Sequence, residues 1–269
     1  MIFTKKEFDF ILSKTPGSRF QLAFDLGLRR VKVLRERDFA LIDNRFRLDT
    51  GLKIKSHFLY WLDEKGVEKI SFFSQSTNRF YKLVPTPDWP TLSIGSVPMH
   101  RLGSPLKDTQ KKIEVLKPRG YCMDTCMGMG YTALLSAEKA KRVITFEKDE
   151  NVLLLARLNP FSEKIFRKKN ISVRKEDVSR GILRIKSNYF DCVLHDPPTL
   201  KLAGDLYSDR FYLQIHRVLK KRGRFFHYTP LYKVKQGFNF PAKIMGRLKK
   251  IGFRNPAYTY EAGGIICSK

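Results

Sequence analysis

A chain of 269 residues with 42% hydrophobic content is long enough to bury a substantial core, and two folded units fit its length. No stretch approaches about 18 uninterrupted apolar residues, which excludes a hydrophobic membrane-spanning helix, and the charged opening MIFTKKEFDF does not read as a secretion signal, so a cytoplasmic protein is expected. The net charge of +26 points to a polyanionic partner, with a solvated surface tuned for solubility or heat as the alternative. Residues 1–100 carry 17 Lys and Arg against 11 Asp and Glu, so the excess beyond them is +20.

Thr4-Lys5-Lys6-Glu7 has capping-box spacing, and Phe8, Ile11 and Leu12 follow at helical intervals, so the chain opens with a short amphipathic helix that Pro16-Gly17 ends. From Arg30 to Leu48 apolar and charged residues alternate as in half-buried antiparallel strands. Lys69 to Phe73 and Arg79 to Leu83 read as a further hairpin. A small mixed domain over residues 1–85 is expected. Pro85, Pro87, Pro90, Pro98 and Pro105 disfavour regular structure and mark 86–107 as a linker.

Residues 108–269 alternate helix and strand: a helix from Asp108 to Leu116, a strand ending at Asp124, a helix over Ala133 to Ala140, and a strand over Arg142 to Phe146. A helix over Asn151 to Leu158, a strand over Ile171 to Val173 and a strand over Tyr189 to Leu194 continue the pattern. A helix from about Ser208, with Phe211, Tyr212, Ile215, Val218 and Leu219 on one face, stops at the basic run before Gly223. Arg224 to Tyr228 is the next strand, Pro241 to Ile251 the next helix, and Tyr258 to Ser268 a final hairpin. This order predicts an α/β, Rossmann-like, doubly wound, mostly parallel sheet closed by an antiparallel edge.

The stretch YCMDTCMGMGYT (121–132) runs an apolar strand into a glycine turn and a helix, the shape of a nucleotide-type cofactor site; glycines used only for tight packing give the same pattern. Ligands in such sheets bind at the carboxyl ends of the strands. Four of those ends carry polar groups: Asp124, Glu147, Asp177 and the pair His195-Asp196. Glu147 stands 17 residues after Gly130, near the offset at which an acid meets ribose hydroxyls. Cys122, Cys126, Cys192 and Cys267 include no CxxC pair and no histidine at zinc spacing, so no metal is expected and the thiols are taken as reduced.

The order DxxxGxG, acid, Asp, DPP resembles the class I S-adenosylmethionine-dependent methyltransferases. More narrowly, MHR (99–101), DTCMGMGYT (124–132), NPFS (159–162), HDPP (195–198), AGDLYSDRFY (203–212) and FHYTP (226–230) resemble an uncharacterised archaeal methyltransferase family, over residues from about 98 to 254. The resemblance implies S-adenosylmethionine as cofactor. Gly128 and Gly130 would wrap its methionine part, Asp124 would meet the ammonium, Glu147 the ribose and Asp177 the adenine amine, with Cys126, Thr132 and His195 in the same shell. Many class I enzymes have glycine where Cys126 stands.

DPP is similar to the (N/D)PP(Y/F) signature of enzymes that methylate nitrogen of nucleobases. Asp196 and the carbonyl of Pro197 are then the acceptors aimed at an exocyclic N–H, held stiffly by Pro197 and Pro198. Thr199 replaces the aromatic that stacks on the base, so Tyr207, Phe211, Tyr212 or Tyr228 would supply that face; helical spacing also makes Tyr207, Phe211 and Tyr212 candidates for the core. His195 reads as a positioning residue or as a base.

The expected partner is RNA, most plausibly tRNA, methylated at a purine nitrogen. The basic excess is expected around the mouth, with Lys164, Arg167, Lys168 and Lys169 on one side and Lys220, Lys221 and Arg222 on the other, unless these are solvated helix ends. Two alternatives stay open: an aminopropyltransferase of the spermidine synthase kind, and a catalytically silent RNA-binding module.

Overall fold

Thr4 starts the first helix as its spacing predicts. Its hydroxyl accepts from the Lys6 amide while Glu7 accepts from the Thr4 amide, so two amides that the first turn leaves unpaired are satisfied. The computed structural model describes residues 1–100, 103–200, 202–231 and 239–269, which divide into two compact units, residues 1–105 with 158–160 and residues 106–157 with 161–269.

The first unit holds strand β1 (Ile2–Phe3), helix α1 (Lys5–Leu12), and an antiparallel sheet of β2 (Arg19–Phe24), β3 (Arg29–Arg35), β4 (Phe39–Ile42) and β5 (Phe46–Asp49) in that order. Alternation along β3 and β4 turns Val31, Val33, Ala40 and Ile42 onto Phe3, Phe8 and Phe24. β6 (Tyr60–Asp63) and β7 (Gly66–Lys69) form a hairpin that β1 joins. A third sheet has the order β11-β10-β9-β8, from β8 (Ser71–Ser74), β9 (Arg79–Val84), β10 (Thr91–Ile94) and β11 (Val97–Pro98).

β10 and β11 correct the expectation of an irregular linker over 86–107. Thr91 to Ile94 is free of proline, and Pro98 sits on an edge strand, where its missing N–H costs no ladder bond.

The second unit starts with α2 (Pro105–Leu116) and then alternates: β12 (Tyr121–Asp124), α3 (Tyr131–Ser136), β13 (Arg142–Phe146), α4 (Glu150–Leu158), β14 (Ile171–Arg174), α5 (Val178–Gly181), β15 (Phe190–His195), α6 (Asp209–Val218), β16 (Leu219–Tyr228), α7 (Phe240–Ile251), β17 (Arg254–Thr259) and β18 (Gly264–Ser268). Seven strands form one sheet in the order β14-β13-β12-β15-β16-β18-β17. β12 to β16 run parallel, and β18 lies antiparallel between β16 and β17. The chain winds outward from β12 to β14 and returns on the other side at β15. That reversal leaves a crevice at the carboxyl ends of β12 and β15, where such folds hold ligands.

Three local expectations are corrected. α3 starts at Tyr131, directly after left-handed Gly130, and ends at Ser136; beyond it the Asn170 amide donates to the carbonyls of Ala137 and Ala140. β16 starts at Leu219, so Lys220, Lys221 and Arg222 belong to a strand and not to a helix end; Arg222 at φ 62° and Gly223 carry the irregularity that continues the strand. Cys122 and Cys192, expected as separate reduced thiols, face each other across β12 and β15 and are joined as a disulfide. Among the described residues no helix is long and apolar enough to cross a membrane.

Candidate active site

Asp124 ends β12 and is 2% exposed. Its Oδ2 accepts from the hydroxyls of Thr145 (2.9 Å) and Thr132 (3.2 Å), while Oδ1 is buried with no hydrogen-bond partner. A buried carboxylate oxygen left unpaired is costly, and that cost marks a place built for a donor. Burial pushes this carboxyl up to about 7, against the pull of the Thr145 and Thr132 hydroxyls.

The two loop glycines do different work. Gly128 has a φ of 52°, and a Cβ there would meet nothing within 4 Å, so its backbone borders open space. Gly130 has a φ of 76°, and a Cβ there would stand 2.4 Å from Ile165 Cδ1, so its bareness serves helix packing. Cys126, half-buried between them and Asp124, has a thiol that burial pushes well above its ordinary range.

Glu147, at the tip of β13, reaches back to this loop. Its Oε2 accepts from the Gly128 amide (3.1 Å) and its Oε1 from the Asp149 amide (2.9 Å). Burial pushes Glu147 up to about 7, opposed by the Asp149 and Gly128 amides. Asp177, after β14, caps α5 through the Ser179 amide and pairs with Lys148 at 2.9 Å. Burial raises its carboxyl, but the Lys148 and Ser179 bonds outweigh that and hold it below the usual range. A pocket of about 170 Å³ opens beside Lys148, Asp177, Ser179, Ala203 and Asp205.

Folded-state carboxyls raised toward 7 take up protons more readily than the same groups in the unfolded chain. Stability of the unliganded protein is therefore expected to fall as pH rises from about 4 through 7. Asp124→Asn should flatten that decline; denaturant melts equal at pH 5 and pH 8 in the parent would contradict it.

The HDPP segment holds the feature that sequence reading missed. Lys112 of α2 is 3% exposed, and its Nζ lies 2.7 Å from Asp196 Oδ2, 2.6 Å from Asp108 Oδ2 and 4.8 Å from the centre of the Tyr228 ring. Burial works against this ammonium, but Asp196 and Asp108 outweigh it and hold its pKa above the usual lysine range. Asp196 gives only Oδ2 to Lys112; Oδ1 makes no hydrogen bond among the described residues, and the side chain is 23% exposed. The acid is thus fixed by a buried cation while one oxygen stays available as an acceptor. Tyr207 donates to the Pro198 carbonyl at 3.0 Å, which fixes the loop behind Pro197.

Several expected site residues are structural. His195 is fully buried: Nε2 donates to the Leu206 carbonyl (3.0 Å), and Nδ1 accepts from Thr125 (2.7 Å). Burial drops its pKa to about 3, so it stays neutral, with neither nitrogen left for a cofactor or a proton. Phe211 and Tyr212, expected against substrate, lie in the core, and the Tyr212 hydroxyl is hydrogen-bonded to His227 Nε2 at 2.9 Å. Tyr207 is 4% exposed and acts through Pro198, which leaves Tyr228 as the half-buried ring of the four.

The basic residues are not where they were expected. Lys168 and Lys169 stand in the turn that feeds the amino end of β14, and Lys220, Lys221 and Arg222 lie at the start of β16, away from the mouth. Around the mouth the described residues mix acids and cations: Asp177 pairs with Lys148, Glu176 with Arg184 and Asp209 with Arg247, while Glu147 is held by backbone amides. Lys201, Lys233 and Lys235 lie outside the described residues.

Sheet order and antiparallel β18 define the class I, Rossmann-like methyltransferase fold, which spermidine synthases share. Spermidine synthase bound to the transition-state analogue AdoDATO matches with a TM-score of 0.59 at 18% identity, over 76% of this chain and 75% of that one. Spermidine synthase from Thermotoga maritima gives 0.54 at 17%, over 75% and 73%, and MnmC2 from Aquifex aeolicus 0.52 at 17%, over 70% of each. No family model matches the chain. It is 42% identical over 217 residues, 78% of this chain and 73% of the relative, to uncharacterized protein MJ1233 of Methanocaldococcus jannaschii, and it belongs to the same family.

Proposed function

We propose that the chain is an S-adenosylmethionine-dependent methyltransferase acting on RNA, tRNA foremost, at a purine nitrogen. The observation that carries this reading is the unpaired, buried Oδ1 of Asp124 beneath a loop whose Gly128 borders open space. A carboxylate so placed fits an ammonium, and the open glycine fits the close approach of a ligand, so the residues suit the cofactor. S-adenosylmethionine supplies a methyl carbon on a sulfonium that departs as a neutral thioether. Asp124 would hold the ammonium, Glu147 the ribose hydroxyls, and Asp177 the adenine amine beside the pocket at Ser179 and Asp205.

The rest of the chemistry falls to the HDPP loop. Oδ1 of Asp196 and the Pro197 carbonyl would accept from the two hydrogens of an exocyclic amine, which draws its lone pair out of conjugation and toward the methyl carbon. Burial raises the Asp196 carboxyl, and Lys112 opposes that rise and favours the anion, the form that accepts. The proton shed by the alkylated nitrogen passes to solvent or to Asp196.

A second reading, aminopropyl transfer to a polyamine, is favoured by the carboxylates of Asp177 and Asp205 that line the pocket, since carboxylates hold cationic amines. One experiment separates the two readings. Purified protein is given methyl-labelled S-adenosylmethionine with tRNA, or decarboxylated S-adenosylmethionine with putrescine. Label in tRNA, located by nucleoside mass spectrometry, supports the first reading; spermidine in the second mixture alone replaces it.

Cofactor contact has its own check. Glu147→Ala is expected to weaken S-adenosylmethionine binding by about 1 to 3 kcal/mol, the range for losing hydrogen bonds to a charged group. Unchanged affinity by titration calorimetry in the folded variant removes Glu147 from the site.

A further inference from the structure

We infer that the amino-terminal edge of the seven-stranded sheet, the side away from the mouth, is a surface that binds the phosphate backbone of RNA. The inference rests on the RNA reading above and adds where the contact lies.

Strand register brings the cations together. Tyr121 opens β12 directly beside Arg142 at the start of β13, Val143 pairs with Ile171 of β14, and Phe190 of β15 pairs with Leu219 of β16. The residues just before or at those strand starts therefore share one edge, and they include Arg119, Lys141, Lys169, Lys186, Lys221 and Arg222, all exposed. None of the six makes an ion pair among the described residues. Two other cations are spent on the protein: Lys220 bridges Asp191 at 2.8 Å, and Lys269 bonds Asn188 and the Leu219 carbonyl. The nearby acids are Asp191, neutralised by Lys220, and Glu138.

Like charges that outnumber the acids on one edge repel each other in the free protein, and a polyanion relieves that repulsion. Two half-buried tyrosines lie among them. The rings of Tyr121 and Tyr189 are 5.2 Å apart, with Lys141 and Lys220 over the first at 5.8 and 5.5 Å and Lys186 over the second at 5.4 Å. Aromatic faces flanked by cations suit a nucleic acid, which offers both phosphates and bases. The parallel strands β12 to β15 run four to six residues. At about 3.3 Å per residue, RNA held here must extend roughly 13 to 20 Å to reach the mouth. A structured RNA spans that distance, and a dinucleotide does not.

The test is fluorescence anisotropy with a labelled tRNA transcript across a salt series. Wild type is compared with a Lys141→Ala/Lys221→Ala/Arg222→Ala variant and with Arg174→Ala/Lys175→Ala at the mouth, all checked for unchanged S-adenosylmethionine affinity. Each phosphate contact contributes about 0.9 or less to the log–log salt slope. The edge variant is expected to lose about two to three units of slope and the mouth variant none. If wild type binds tRNA but only the mouth variant loses slope, the edge assignment is overturned and the RNA reading stands. If wild type binds no tRNA at low salt, the RNA reading itself falls, and binding to phosphatidylserine vesicles instead would reassign the edge to a membrane surface.

Discussion

Lys112→Met is expected to destabilise the protein by about 3 to 5 kcal/mol at neutral pH, the usual result of removing one partner from a buried charge pair. The methionine fills the space of the lysine stem, so the loss is electrostatic: Asp108 and Asp196, each within 2.7 Å of the ammonium, are left facing each other. Burial already raises the Asp196 carboxyl, and losing the opposing pull of Lys112 raises it further above the unfolded value of about 3.9, so the folded variant binds a proton that the unfolded chain does not. Stability rises as pH falls in that window, and the deficit against wild type should shrink by pH 5. Urea melts at pH 7.5 and pH 5 measure it. A deficit below about 1 kcal/mol, or one that does not shrink, contradicts the pairing.

Asp196→Ala is expected to lower methyl transfer by at least about a hundredfold, the scale for deleting one preorganised polar group, while S-adenosylmethionine still binds within a few-fold. Asp196→Asn separates two roles. Its amide oxygen still accepts a hydrogen bond but cannot take a proton, so partial recovery marks Asp196 as an acceptor. If the asparagine variant is as inactive as the alanine one, Asp196 serves as a general base, which suits the amine of a polyamine better than a conjugated ring amine. A fully active alanine variant would sink the role of DPP altogether.

The strand-end acids were legible because a parallel sheet makes each strand short, apolar and abruptly ended, so Asp124, Glu147 and Asp177 stand out from the sequence itself. Other features had weaker signatures. β7, Gly66-Val67-Glu68-Lys69, lacks clean alternation and is a strand because β6 pairs with it. Lys112 shows half of its setting in sequence, an acid four residues earlier at Asp108. Its other partner is 84 residues away, and helical periodicity alone would place a lysine in solvent. The basic run 220–222 was misplaced because a helix followed by lysines resembles a helix terminus, whereas the chain turns directly into β16. For Phe211 and Tyr212 composition offered both a stacking face and a core, and burial settled for the core.

The placement of β18 also bears on synthesis. It lies between β16 and β17, with Ile265 and Cys267 buried, so the sheet that positions Tyr228 and His227 stays open on that side until residue 268 has left the ribosome. A nascent chain ending before Gly264 exposes one edge of β16 and one of β17, each ready to pair with another chain. The sheet therefore cannot fill in strand by strand in chain order; β18, made after β17, must insert between β17 and β16 to close it, a step of the kind that slows folding and prolongs exposure to aggregation.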